Sequence, residues 1–342
     1  MAEADPGITT ALPAVREVEA RDAATLDRLL AEAEAPFVVR GLVADWPLVQ
    51  AGRRSASDAR AYLLTHAKQR AFPVSVGGEA DGRLFYDAGM AMNFRMMNAG
   101  LAEIFVRIEE GEANGTGPAI YLGSIDMHDY FDGLHAANHV DLGERAALAS
   151  IWIGTRTRIA AHNDVPHNLA CVAAGRRRFT LFPREQFANL YLGPVDNTPA
   201  GRAISMIDLH APDLDRFPRF VDALAAATVA DLEPGDAIHI PALWWHHVEA
   251  LDPFNILVNY WWRESPRWLG HPQDALNHAL LAIRDLPDAE KAHWRQMFDH
   301  YVFGDREAAA SHIPEGARGV LDPLTPETAG RLRAYLLRQL SR

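Results

Sequence analysis

From about residue 118 the chain breaks into short apolar runs, PAIYLGSI, ALASIWIGT, NLACVAAG, RFTLFP, DAIHIPALWWHHVEAL and FNILVNYWW, divided by Gly, Pro and Asp. Runs of this length, rich in β-branched and aromatic residues and bounded by turn formers, read as strands. Strands in succession without alternating helices predict an all-β sandwich or barrel core. Pro234, Gly235 and Asp236 supply a tight turn feeding the strand that follows them. Upstream the pattern is mixed. Residues 15–35 carry Leu26, Leu29 and Leu30 at helical spacing, and PFVVRGLV at 36–43 follows as a short strand.

Beyond about residue 270 the period becomes helical. Trp294, Met297, Phe298, Tyr301 and Val302 fall at i, i+3, i+4, i+7 and i+8, a stripe expected to be core. Thr325 as N-cap and Pro326 at the first helical position open a last helix, which places Leu332, Tyr335, Leu336 and Leu340 on one face. The expected division is a β-rich domain with N-terminal α/β decoration over residues 1–268 and a helical segment over 269–342. The apolar face of that segment needs a partner, either the β core or the same segment of a second subunit in a homodimer.

Composition narrows the function classes. The chain has 342 residues, of which 49% are hydrophobic and 23% charged, enough to bury a large core. Its formal charge of −12 repels phosphate backbones and anionic lipid, so neither nucleic acid nor a membrane surface is the expected partner. The opening stretch MAEADPGITTALPAV has no basic segment followed by an apolar run, and no stretch reaches the roughly 18 apolar residues of a membrane helix. A soluble, cytoplasmic protein is expected. The single cysteine, Cys171, excludes an intramolecular disulfide and a cysteine-rich zinc site, and its apolar surroundings NLACVAA mark it as core.

In RIAAHNDVPHN, His162 and Asp164 are separated by one residue, so on a strand both project from one face and can grip one ion. A third ligand comes from WWHHVEA. Neighbouring side chains on a strand leave on opposite faces, so His246 shares a face with Trp244 and Val248, and His247 with Trp245 and Glu249. The valine face is expected to point inward, which selects His246. His247 is left partly exposed or bonded to a neighbouring carbonyl or carboxylate. Two histidines and one carboxylate fill three octahedral positions and leave three open, the pattern of a non-haem Fe(II) oxygenase site.

Three arginines follow in AAGRRRFTLFP. Alternation puts Arg177 on the inward face with Phe179 and Leu181, and Arg176 and Arg178 on the other with Thr180. A guanidinium turned into an apolar interior needs an anion. That anion is either the distal carboxylate of a 2-oxo acid co-substrate or an internal acidic residue.

In their order along the chain, AHNDVPHN, GRRRFTLFP, PGDAIHIPALWWHHVE and VNYWW resemble the JmjC-like, cupin-like branch of the 2-oxoglutarate oxygenases. Within it the pattern is most similar to the asparaginyl hydroxylases and their bacterial relatives, over about residues 35–265. The resemblance implies a double-stranded β-helix, or jelly roll, with Fe(II) on His162, Asp164 and His246. It also implies that 2-oxoglutarate is held by Tyr121, Asn168, Arg177 and Asn259, and that O2 is the second co-substrate. There are two departures. That branch carries lysine at the position of Arg177, and a threonine hydroxyl at the position of Ile159, which cannot donate a hydrogen bond.

The activity implied is hydroxylation of a protein or peptide side chain, or of a small molecule, with 2-oxoglutarate decarboxylated to succinate. Hydroxylation next to nitrogen releases formaldehyde, so demethylation uses the same apparatus. A first alternative is a non-oxidative cupin metalloenzyme, an isomerase or hydrolase, with His167 as its candidate fourth ligand, although His167 is expected rather to support a ligand from behind. A second is a metal-containing binding module acting through its helical tail. The stretch FYDAGMAMNFRMMNAG at 85–100 is expected to be core rather than a methionine-lined substrate wall.

Overall fold

Strand alternation accounts for most of the architecture. The computed structural model describes residues 12–78, 81–115, 117–199 and 201–341, so Met1–Ala11, most of the stretch read above for an export signal, lies outside the described residues. The chain divides into two compact units, Met1–Arg263 and Glu264–Arg342. In the first unit the strands are β1 (Phe37–Val39), β2 (Ala71–Gly77), β3 (Arg83–Leu84), β4 (Phe94–Gly100), β5 (Ala119–Asp126), β6 (Leu148–Gly154), β7 (Thr157–Asn163), β8 (His167–Ala174), β9 (Arg177–Phe182), β10 (Thr228–Leu232), β11 (Ala237–Ile240), β12 (Trp245–Ala250) and β13 (Asn255–Trp262). They form one sheet in the order β1-β11-β8-β13-β6-β5-β2-β4 and a second in the order β10-β9-β12-β7-β3. From β6 to β9, and again from β10 to β13, successive strands switch sheets, which is the winding of a jelly roll.

Both faces of the larger sheet are covered, so its central strands read as unbroken apolar runs. One face of β8 and β13 presents Leu169, Cys171, Ile256 and Val258 to a core that includes Leu26, Leu48, Leu63 and Ile104 from the N-terminal helices. Cys171 is fully buried there, as expected, and burial pushes its thiol up. The opposite face sends Ala170, Val172, Ile238 and Leu257 between the sheets, where they meet Phe179, Leu181 and Val248. The outer face of the smaller sheet is covered by the segment between β9 and β10, with Leu190, Ile207 and Phe220 packed on Phe182 and Trp245.

The 85–100 stretch divides. Phe85 and Tyr86 are buried with Met90 and Met92 against them, whereas Met96 on the edge strand β4 is 66% exposed. The core expectation holds for its first half only.

In the second unit, Thr325 caps the helix Pro326–Leu340 by accepting from the Thr328 N–H, as expected. The Trp294–Val302 stripe is not core. The helix Asp288–Phe298 gives way to a π-helical turn, Asp299–Phe303, and one extra residue in that turn shifts Tyr301 and Val302 out of phase. Trp294, Tyr301 and Val302 are 42%, 48% and 62% exposed. Trp294 and Phe298 line a groove of about 750 Å³ with Trp268, Ile283, Leu336 and Leu340. Among the described residues no helix is long and apolar enough to cross a membrane.

His239 sits fully buried on the helix-covered face, its ring 5.0 Å from Phe37 and stacked at 5.7 Å on both His167 and Trp262. Among the described residues neither ring nitrogen has a hydrogen-bond partner. Burial, with help from His167 and Arg145, holds its pKa down to about 3. The folded state therefore refuses a proton that the unfolded chain accepts below about 6.5. Stability is expected to be full above that value and to fall as pH drops toward 3, by up to about 1.4 kcal/mol per pH unit for this group. His239→Phe keeps the stacking and should flatten the acid limb of a denaturant-unfolding series; an unchanged limb would show that His239 does not titrate this way.

Candidate metal and co-substrate site

β7 and β12 run side by side with His162 opposite His246. The register then slips so that Val248 opposes Ile159, which gives β7 one more residue than β12 over the interval. Strict alternation would send Ile159 and His162, three residues apart, to opposite faces. The bulge turns both inward. Ile159 packs with Val248 in the core between the sheets, while Arg158 stays outside on Asp208. Asp164 lies just past β7, where its carbonyl accepts the N–H of Leu243 at 2.8 Å. Leu243 itself holds a left-handed conformation, φ 66°, in the turn that leads into β12.

His162, Asp164 and His246 each bring a ligand atom, all within 4.8 Å of one another, the one such group among the described residues. Nδ1 of His162 is 2.9 Å from the Ala160 carbonyl, and Nδ1 of His246 is 3.1 Å from that of Trp244. A carbonyl only accepts, so each Nδ1 carries the proton and each Nε2 keeps its lone pair for a metal. Burial, reinforced by His162 and opposed by Asp164, holds the His246 pKa down to about 4, so the ring is neutral at pH 7.

The other two histidines of interest point away. His167 shares its face of β8 with Leu169 and Cys171 and stacks on His239 and Trp262. It is not a fourth ligand. His247 faces the layer over the smaller sheet and is buried at 3% exposure, not partly exposed. Its Nδ1 stands 3.7 Å from Glu249 Oε2 without a hydrogen bond, while Glu249 Oε1 is engaged by His210 Nε2 at 2.5 Å. The covering segment, which strand alternation cannot reveal, accounts for the burial.

Arg177 points inward at 3% exposure, whereas Arg176 and Arg178 point outward and pair with Asp252 and Asp231. Among the described residues no carboxylate pairs with Arg177, and its Nε has no partner. Burial lowers its pKa to about 10, partly offset by Tyr121, so the charge persists at neutral pH. Tyr121 lies within the fields of both Arg177 and Asp164, and burial pushes its phenol up, leaving it a donor. Asn168 and Asn259 are buried on the same inner surface, on β8 and β13. Oδ1 of Asn168 has no partner; Oδ1 of Asn259 accepts from the Trp152 indole at 2.7 Å.

Sequence reasoning missed three residues. Ser150 lies directly opposite Asn259, and Trp261 opposite Asn168; the Ser150 hydroxyl and the Trp261 indole nitrogen are buried without partners. Trp152 is the third. The signal was present: in ALASIWIGT, Ser150 and Trp152 alternate with the outer-facing Ile151 and Ile153. An inward cation and several inward polar atoms without protein partners suit a bound polar anion beside a metal.

A cupin-like domain family matches residues 23–267. The chain belongs to the cupin-like family. It is 33% identical over 122 residues to the lysine-specific demethylase JMJ31 of Arabidopsis thaliana, a stretch covering 35% of this chain and 22% of that protein. It is 31% identical over 173 residues to HSPB1-associated protein 1 of Rattus norvegicus, covering 49% of this chain and 34% of that one. It is 38% identical over 105 residues to tRNA wybutosine-synthesizing protein 5 of Danio rerio, covering 31% and 29% respectively. The chain thus spans about a third or less of the length of these relatives.

Titrating metal into the variants tests the ligand assignment. His246→Ala is expected to weaken Mn(II) affinity beyond the roughly 10- to 100-fold typical of outer-sphere losses, and His247→Ala to leave it nearly unchanged. The reverse pattern would move the site to the other face of β12.

Proposed function

We propose that the chain is an Fe(II)- and 2-oxoglutarate-dependent oxygenase that hydroxylates a protein or peptide side chain, coupled to conversion of 2-oxoglutarate to succinate. The observation that carries this reading is Arg177, a buried cation without a carboxylate partner among the described residues, on the same inner surface as a three-ligand group that leaves coordination positions open. An internal ion pair, the alternative anion, has no candidate among the described residues. When bound, ferrous iron supplies oxygen activation and the oxidising power for C–H cleavage.

The chain's own residues bind, orient and exclude water. His162, Asp164 and His246 would hold the ion from one side and leave the rest of its sphere to co-substrates. The fork of Arg177 would take the distal carboxylate with two parallel hydrogen bonds, which lysine cannot do and which compensates for the missing donor at Ile159. The Tyr121 hydroxyl, kept protonated by burial, would add a third donor. Trp152 and Trp261, 5.8 Å apart and nearly perpendicular, add apolar surface beside these groups.

The direction of His167 disfavours the non-oxidative alternative, whose fourth ligand it would have been. Of the three relatives, one is named for lysine demethylation, one for association with HSPB1 and one for a tRNA modification, and the charge of −12 favours a protein over a tRNA. Pairing of two copies through the C-terminal helices is proposed on the same footing, supported by Leu281, Leu337 and Leu340, which are 79%, 61% and 56% exposed.

With Fe(II), 2-oxoglutarate and air, the protein is expected to form succinate. Arg177→Met, which leaves a carboxylate buried without its cation, should lower kcat/KM for 2-oxoglutarate by about 30-fold or more, with Arg177→Lys intermediate. Absence of succinate, or indifference to Arg177→Met, would remove the reading.

A further inference from the structure

Trp152 and Asn259 stand on the neighbouring strands β6 and β13 and both face between the sheets. The Trp152 indole N–H donates to Asn259 Oδ1 at 2.7 Å. An indole nitrogen can only donate, so this bond decides which end of the Asn259 amide is oxygen. With Oδ1 occupied, the amide offers a cavity ligand only its NH2 end, which has two donors and no acceptor. The indole is itself held in place. Its ring lies 5.7 Å from Tyr121 and 5.8 Å from Trp261. Behind it the chain passes at Gly123, where a Cβ would fall 3.0 Å from Trp152 Cζ3 and 3.1 Å from Tyr121 Cε1. Gly123 is thus required for the space it leaves.

We infer that Trp152 is a positioning residue that keeps Asn259 turned with its amide donors toward a carboxylate of the co-substrate, its N–H being the operative group. The inference rests on the 2-oxo acid reading above. It also gives the altered pocket a consistent character. With no hydroxyl at Ile159, the groups facing the anion are the guanidinium of Arg177, the phenol of Tyr121 and the amide of Asn259. Without the indole, that amide could flip and set its oxygen against the carboxylate. The ligand class selected is a carboxylate that only accepts; a neutral amide or alcohol of similar shape gains less.

The test is calorimetric titration of 2-oxoglutarate into the Mn(II)-loaded protein. Trp152→Phe keeps an aromatic ring against Tyr121 and removes the N–H. It is expected to weaken 2-oxoglutarate binding about threefold to tenfold, with Mn(II) affinity unchanged. In an Asn259→Ala background the same substitution should have no further effect, because Trp152 acts through Asn259; a merely structural role would persist there. Trp152→Leu, which also removes the N–H, should reproduce the loss and serves if Trp152→Phe does not fold. If the unaltered protein does not bind 2-oxoglutarate, the functional reading fails. If it binds and both variants bind as tightly, or the loss persists without Asn259, the role given to Trp152 is overturned.

Discussion

A guanidinium buried between two sheets, with no carboxylate paired to it among the described residues, is the constraint around which this molecule is ordered. Removing a charge from water costs several kcal/mol unless something of opposite sign is supplied. The chain has acids to spare and uses two of them on the flanking arginines, which face outward. Arg177 alone is turned inward and left to Tyr121 and the interior. On the proposed function, the co-substrate brings the missing charge, and the group of His162, Asp164 and His246 gives it a second point of attachment.

The two faces of the smaller sheet divide the labour. Inside are His162, His246, Ile159 and Arg177, with few protein partners among them. Outside are Arg158, Arg178, His210 and Glu249, tied to one another and to Asp208 and Asp231 by ion pairs and hydrogen bonds. The outer network and the layer above it tie β7, β9 and β12 to the covering segment and to β10. The inner residues can then be left under-satisfied without the strands shifting. Backbone carbonyls do the same for the ligand histidines, fixing each tautomer with one hydrogen bond.

Much of this was legible in the sequence, because strand alternation is a strict geometric rule. It placed Arg177 inside and its neighbours outside, and it chose His246 over His247 for the triad face. The rule does not hold where the backbone departs from regular geometry. The bulge in β7 brings Ile159 and His162 to one face despite their odd separation. The π-helical turn at Asp299–Phe303 breaks a stripe that a 3.6 period had continued. The burial of His247 depends on a long irregular segment between β9 and β10, whose packing leaves no periodic trace. Tyr121, Asn168 and Asn259 came from family resemblance alone, since single polar residues within apolar runs carry no period of their own.

The central claim is that three ligands and one unpaired cation form a single pocket for a ferrous ion and a chelating 2-oxo acid. Anaerobic addition of 2-oxoglutarate to the Fe(II)-loaded protein tests it most directly. The account predicts a weak visible charge-transfer absorption that saturates with 2-oxoglutarate. Iron bound at His162, Asp164 and His246 with no such absorption at saturating 2-oxoglutarate would contradict it.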